Sequence, residues 1–214
     1  MPRINIDGKS FVPEDGVSLG LWKMDESEAE LLSDCRLACF ADDVSVYKSA
    51  GKRLEYLSVR ALLADMLGEV PEISHNSDGK PVLADGTSIS ISHTRGYAAV
   101  ILSEKYNVAV DVEYVSDRVR RIADRFLRSD EKPLSTEAML LCWCAKETIY
   151  KLHSSAKLSF EEMRVGLESA CFSEGETRAL GCFPVADLKC GTSINVDYLL
   201  SKMFVLTCAV EKKQ

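Results

Sequence analysis

Apolar positions along this chain recur with two different periods, and the changes of period mark its elements. Leu54, Leu57, Ala61 and Leu62 recur at helical spacing. They predict a helix from about Lys52 to Gly68, a residue suited to ending one. Upstream, Asp25 with Glu28 three residues on reads as a cap and its reciprocal carboxylate, opening a helix through Leu31, Leu32 and Cys35. The polar run "HNSDGKPVLADGT" carries two Asp-Gly turn signals. Beyond it the period falls to two. "SISIS", Ser88 to Ser92, alternates strictly and predicts a strand with one small polar face. "YAAVILS" predicts a second strand, "EKYN" a turn, and "VAVDVEYV", Val108 to Val115, a third strand. Strand side chains alternate, so Val108, Val110, Val112 and Tyr114 share one face and Ala109, Asp111 and Glu113 the other.

From Asp117 the spacing turns helical again. Val119, Ile122, Ala123, Phe126 and Leu127 form an apolar stripe, and Arg118, Arg121, Arg125 and Arg128 a separate basic one. After Pro133, Ser135 is placed to cap a helix containing "LLCWCAKETIYKL". "RVGLESACF" and "KMFVLTCAV" predict strands of the second half. Helices and strands in mixed order, with hairpins, indicate an α+β fold rather than a doubly wound parallel sheet.

Composition narrows this picture. The 214 residues are 46% apolar and 28% charged, an ordinary globular mix able to bury a real core. No apolar run reaches membrane-spanning length, and the opening "MPRINIDGKSFVPEDG" has no apolar signal region. A cytoplasmic protein with no membrane partner is the expectation. The eight cysteines sit among apolar neighbours, which suits reduced, buried thiols. Cys142 and Cys144 form the one tight pair, with no histidine near enough in sequence to complete a zinc set. A net charge of −7 argues against general nucleic-acid binding.

Candidate chemistry gathers on the strand with two carboxylates and the helix after Ser135. Trp143, Glu147 and Lys151 follow one another at four-residue intervals and share a helix face, with Lys146 at its border. Alone, Glu147 before Lys151 is an ordinary helical ion pair, and a strand-end acidic pair is ordinarily solvated. Asp111, Glu113 and Glu147 together suit a hard divalent ion such as Mg²⁺, which prefers oxygen ligands and leaves positions open for phosphate and water. Lysines beside it would meet the remaining phosphate charge.

"VAVDVEYV" followed by "WCAKETIYK" resembles the two-part signature of the 4′-phosphopantetheinyl transferases of the Sfp type. "GKP" at Gly79 to Pro81, "ISISHT" at Ile89 to Thr94 and "IADRFLRSDE" also match in order, and the resemblance covers roughly residues 50 to 165. Ala109 stands where the family usually has Gly, Cys144 where it has Ser, and Thr148 where it has Ala.

The resemblance implies two similar α/β halves in pseudo-twofold relation, here residues 1–106 and 107–214. It implies coenzyme A as co-substrate at their junction, with Mg²⁺ held by Asp111, Glu113 and Glu147. The serine of an apo acyl or peptidyl carrier protein would attack phosphorus, releasing 3′,5′-ADP. Glu147 is the candidate to take the serine proton, or else purely a metal ligand, and Lys151 and Lys146 are candidates for phosphate neutralisation. Lys80, Ser92, His93, Thr94, Asp111, Lys151 and Arg53 are expected at the coenzyme, with Lys52 and Arg60 as further first-half cations. Trp143 is expected to be core packing.

Carrier proteins are typically acidic, and residues 117–132 hold six basic and four acidic side chains, a net of +2. Arg118, Arg121, Arg125 and Arg128 are therefore expected to help dock the carrier. A monomer would suffice. The rival reading is a non-catalytic carrier-protein or coenzyme A binding module on the same fold, separable by weighing the carrier after incubation.

Overall fold

The computed structural model describes residues 3–4, 14–170 and 178–213. Its two main sheets are built from consecutive parts of the chain. The first has the order β1-β2-β6-β5, from Arg3–Ile4 (β1), Val17–Lys23 (β2), Ser88–Thr94 (β5) and Tyr97–Ser103 (β6), all antiparallel neighbours. The second has the order β7-β11-β10-β9-β8, from Tyr106–Tyr114 (β7), Met163–Val165 (β8), Arg178–Asp187 (β9), Thr192–Ser201 (β10) and Phe204–Lys212 (β11). A small ribbon, Ser74–His75 (β3) with Pro81–Val82 (β4), turns through Gly79 in the left-handed region at φ 79°, where a side chain would be strained.

Strand alternation sets the layers. On β6, Ala98, Val100 and Leu102 face the long helix Ala50–Leu67, where they meet Leu57, Leu62 and Leu63. Ala99 and Ile101 face the other way and meet Val108, Val110 and Val112 of β7 and Leu206 of β11, in a core shared by the two sheets. The far face of the second sheet, through Ala109, Val205 and Ala209, packs on Leu141, Ala145 and Ile149 of the helix Thr136–Leu152. The order is thus helix, sheet, sheet, helix, and the fold is α+β.

In chain order the helices are Glu28–Leu32 (α1), Ala41–Ser45 (α2), Ala50–Leu67 (α3) and Thr136–Leu152 (α4). Gly68 ends α3 at φ 86°, and Ser135 caps α4 by accepting the Ala138 N–H at 3.1 Å. α1 is capped two residues later than the sequence suggests. Ser27 and Glu30 form the reciprocal box, while Asp25 pairs with Lys23 at 2.7 Å. Both pairs have the same spacing, and the serine is the one that faces the first free N–H groups.

Two further expectations are corrected. The segment from Asp117 is not a continuous helix but two 3₁₀ turns, Asp117–Arg121 and Ala123–Arg125. Phe126 drops into the core, and its carbonyl is taken by Lys146 rather than by a helical N–H. The strand expected over "RVGLESACF" is limited to β8, followed by a 3₁₀ turn at Leu167–Ser169, and its last two positions lie outside the described residues. β2, β9 and β10 have no counterpart in the sequence reading. No helix among the described residues is long and apolar enough to cross a membrane.

The two sheets meet along an unusual seam. β7 turns its free edge toward the inner face of β5, and the hydroxyls of that face take the edge N–H groups. Val108, Val110 and Val112 donate to Ser88, Ser90 and Ser92 Oγ at 3.2 Å each, and Tyr114 donates to Thr94 Oγ1 at 3.4 Å. Edge N–H groups in a dry interface need acceptors. The strict serine alternation of β5 supplies one at every second residue.

Candidate active site

Asp111 and Glu113 lie on the α4 side of β7, two residues apart, and α4 runs across them. Its face Trp143, Glu147, Lys151 meets them in reverse order. Trp143 Nε1 donates to Glu113 Oε1 at 3.2 Å, and Lys151 Nζ donates to Asp111 Oδ1 at 2.7 Å. Glu147 lies between these two contacts, where Asp111 and Glu113 both act on its carboxyl.

Each acid has a distinct environment. Asp111 is only 5% exposed. Its Oδ1 also accepts from Ser92 Oγ at 2.8 Å, while its Oδ2 is buried without a hydrogen-bond partner among the described residues. Glu113 accepts from Thr94 Oγ1 at 2.9 Å through Oε2. Burial pushes the Glu113 carboxyl up, the Asp111 charge adds to this, and the two donors and Lys151 oppose it. Glu147 is pushed up to about 7, first by burial and then by Asp111, with Lys151 pulling the other way. The Cys144 thiol, buried on α4, is held far above its usual range by desolvation and then by the charges of Asp111 and Glu113. It stays neutral there, and its contact with the Asp111 carboxylate helps hold it so.

Among the described residues no three His, Cys, Asp or Glu side chains stand as a ready metal cage. Lys151 occupies Asp111 Oδ1 and also donates to the Val110 carbonyl at 3.1 Å. The donor chemistry nevertheless fits a hard divalent cation. The three carboxylates come from two elements, burial and neighbouring charge push the Glu113 and Glu147 carboxyls up, and Asp111 Oδ2 is buried without a hydrogen-bond partner among the described residues. A cation would relieve both costs.

Other candidates lie elsewhere. Lys146 is fully buried on the core side of α4, about 100° round the helix from Glu147. It donates to Glu131 Oε2 at 2.6 Å, to the Phe126 carbonyl at 2.7 Å and to the Phe160 carbonyl at 3.0 Å. All three ammonium protons are thereby used, so the structure contradicts a phosphate-neutralising role for Lys146. Arg53 is drawn to Glu28 at 2.7 Å and to the Tyr47 carbonyl at 2.8 Å, which ties α3 to α1. The Arg60 guanidinium lies over the rings of Tyr56 and Phe40. Lys80 is partly buried on the β3–β4 ribbon, and the charge that acts on it is Glu211. His93 is exposed at the end of β5, 3.5 Å from Glu55.

Ser92 and Thr94 hold the carboxylates rather than projecting free protons. Trp143 packs on Phe126 and Phe160, at 5.2 and 5.5 Å between ring centroids, and in addition holds Glu113. That second role escaped the sequence reading. Glu131 escaped it too. It joins Lys146 to the Arg128 and Val165 N–H groups, and the segment "FLRSDE" that contains it was the available signal. The Ala109 methyl is buried against α4.

Beside Glu113 and Trp143 a cavity of about 370 Å³ opens, with Val119, Ile122 and Leu140 as its apolar wall and Arg118 and Arg121 at its margin. Arg125 is exposed on the next turn, whereas Arg128 is committed to Asp130 and the Glu161 carbonyl.

Part of this chain is similar to a known transferase. Over 69 residues, 31% of its length, it is 35% identical to the 4′-phosphopantetheinyl transferase AcpT of Escherichia coli O157:H7. The chain spans 35% of the length of that curated relative. No protein-family model matches it.

Proposed function

We infer that this protein transfers the 4′-phosphopantetheine group of coenzyme A to a serine of an apo acyl or peptidyl carrier protein and releases 3′,5′-ADP, as an Sfp-type enzyme. The observation that carries this is the convergence of Asp111, Glu113 and Glu147 beside Lys151, from a strand and a helix far apart in sequence. Partial identity to a named phosphopantetheinyl transferase supports the same reading. Asp111, Glu113 and Glu147 would hold Mg²⁺, which when bound supplies charge neutralisation for the diphosphate of the coenzyme.

The side chains account for the remaining requirements. In the reaction the serine Oγ–phosphorus bond forms, and the bond from phosphorus to the oxygen of the leaving 3′,5′-ADP breaks. The serine proton needs an acceptor beside the reacting phosphorus, and a carboxylate among the three acids meets that need. Glu147 is that acceptor. Lys151, once drawn away from Asp111, has its ammonium beside the position of the phosphate, where it favours the more highly charged transition state. His93, exposed at the end of β5, is a coenzyme contact in this reading, and the two sheets correspond to the two halves between which coenzyme A lies. The cavity edged by Arg118 and Arg121 is on the carrier side, next to the acids.

Incubation with coenzyme A, Mg²⁺ and apo carrier, followed by weighing the carrier, is the test. Wild-type protein should add one phosphopantetheine mass, and Asp111→Ala and Glu147→Ala should lower the rate at least about a hundredfold while remaining folded. No added mass with any of several carriers would overturn the reading in favour of a binding module.

A further inference from the structure

The seam between β5 and β7 does two jobs at once, and only at two of its four steps. A hydroxyl has one proton to give and lone pairs to receive. Where Ser92 Oγ accepts the Val112 N–H, its proton is left for Asp111 Oδ1. Where Thr94 Oγ1 accepts the Tyr114 N–H, its proton is left for Glu113 Oε2. Ser88 and Ser90 receive Val108 and Val110 in the same way, but the corresponding positions on β7 are Asn107 and Ala109. The bonding direction is therefore imposed by the β7 backbone, and the carboxylates are gripped from the opposite sheet.

We propose that Ser92 and Thr94 are positioning residues that aim Asp111 and Glu113 for divalent-ion binding, each through a backbone-to-hydroxyl-to-carboxylate relay across the seam. This deepens the functional reading above and rests on it. Ser92 and Thr94 are 6% and 8% exposed, so water does not readily replace either hydroxyl. Among the described residues, Ser92 and Thr94 are the donors to these two acids that come from the first sheet. The relay thus makes the geometry of the acids depend on correct seating of one sheet on the other.

Ser90 is an internal control because it makes the seam bond without a carboxylate. Mn²⁺ binding, titrated by electron paramagnetic resonance with coenzyme A present, reads the effect without reference to turnover. Ser92→Ala and Thr94→Val should each weaken Mn²⁺ about tenfold or more, the loss typical of outer ligands that orient metal-binding groups. Thr94→Ser, which keeps the hydroxyl, should bind like wild type, and Ser90→Ala should stay within about twofold of it while losing similar thermal stability. Should Ser92→Ala not fold, the Thr94→Val and Thr94→Ser pair carries the comparison. Equal weakening by Ser90→Ala and Ser92→Ala, or wild-type binding in Thr94→Val, would overturn the relay. Wild-type protein that neither binds Mn²⁺ nor modifies a carrier would instead overturn the functional reading, and the relay with it.

Discussion

Lys146 and Lys151 are five residues apart on one helix and have opposite fates. Lys151 reaches the carboxylates at the seam, whereas Lys146 is fully enclosed with Glu131 and two carbonyls. Removing one member of a buried ion pair leaves the other charge uncompensated, at a cost of about 3–5 kcal/mol. Lys146→Met should therefore lower the urea midpoint severely, and in the functional reading Lys151→Met should abolish transfer with much less effect on unfolding. A second residue-scale expectation concerns Asp197 on β10, pushed up to about 6 by burial, with its neighbour Cys182 opposing. Its folded-state affinity for protons exceeds the unfolded one. The resulting stabilisation is complete below the ordinary aspartate range and fades as pH rises through about 6. Asp197→Asn should flatten unfolding free energy across that interval, and above it should stabilise by about 1–2 kcal/mol. Denaturant titrations at several pH values would check this.

At the scale of elements, close approach explains one glycine. A Cβ on Gly20 of β2 would lie 2.7 Å from Leu62 Cδ1 and from Met66 Sδ, both on α3. Gly20→Ala should thus push α3 off the sheet and cost about 1–3 kcal/mol, measurable by chemical denaturation. The pattern of the chain makes β5, β7, α3 and α4 legible because each carries a regular period, and β6 because it is an unbroken apolar run. It also places Trp143, Glu147 and Lys151 on one face, since helical geometry alone decides that. β9 and β10 are hidden by Gly181 and Pro184 and by polar outward positions. The 3₁₀ turns after Asp117 mimic a helix because their apolar side chains keep nearly helical spacing, and only the tertiary bond from Lys146 reveals the break. Nor could periodicity show that Lys146 would find a buried acid fifteen positions away.

For the molecule as a whole, charge is unevenly used. The chain is acidic overall, yet Arg118, Arg121 and Arg125 are exposed near the cavity that adjoins Glu113. In the functional reading these meet an acidic carrier. Arg121→Glu with Arg125→Glu should raise the carrier KM about tenfold, reduce its salt dependence and leave the coenzyme KM unchanged. Steady-state kinetics at two ionic strengths would decide. A different consequence attaches to the hydroxyl seam. The strand beginning at Tyr106 borrows its acceptors from residues encoded before it, so a fragment comprising only the later sheet would present a row of naked amides. Such a margin recruits a neighbour's strand as readily as its own. Severing the chain between the two sheets is therefore expected to yield insoluble fibres or clumps from the second piece, and co-expression with the first should keep it in solution.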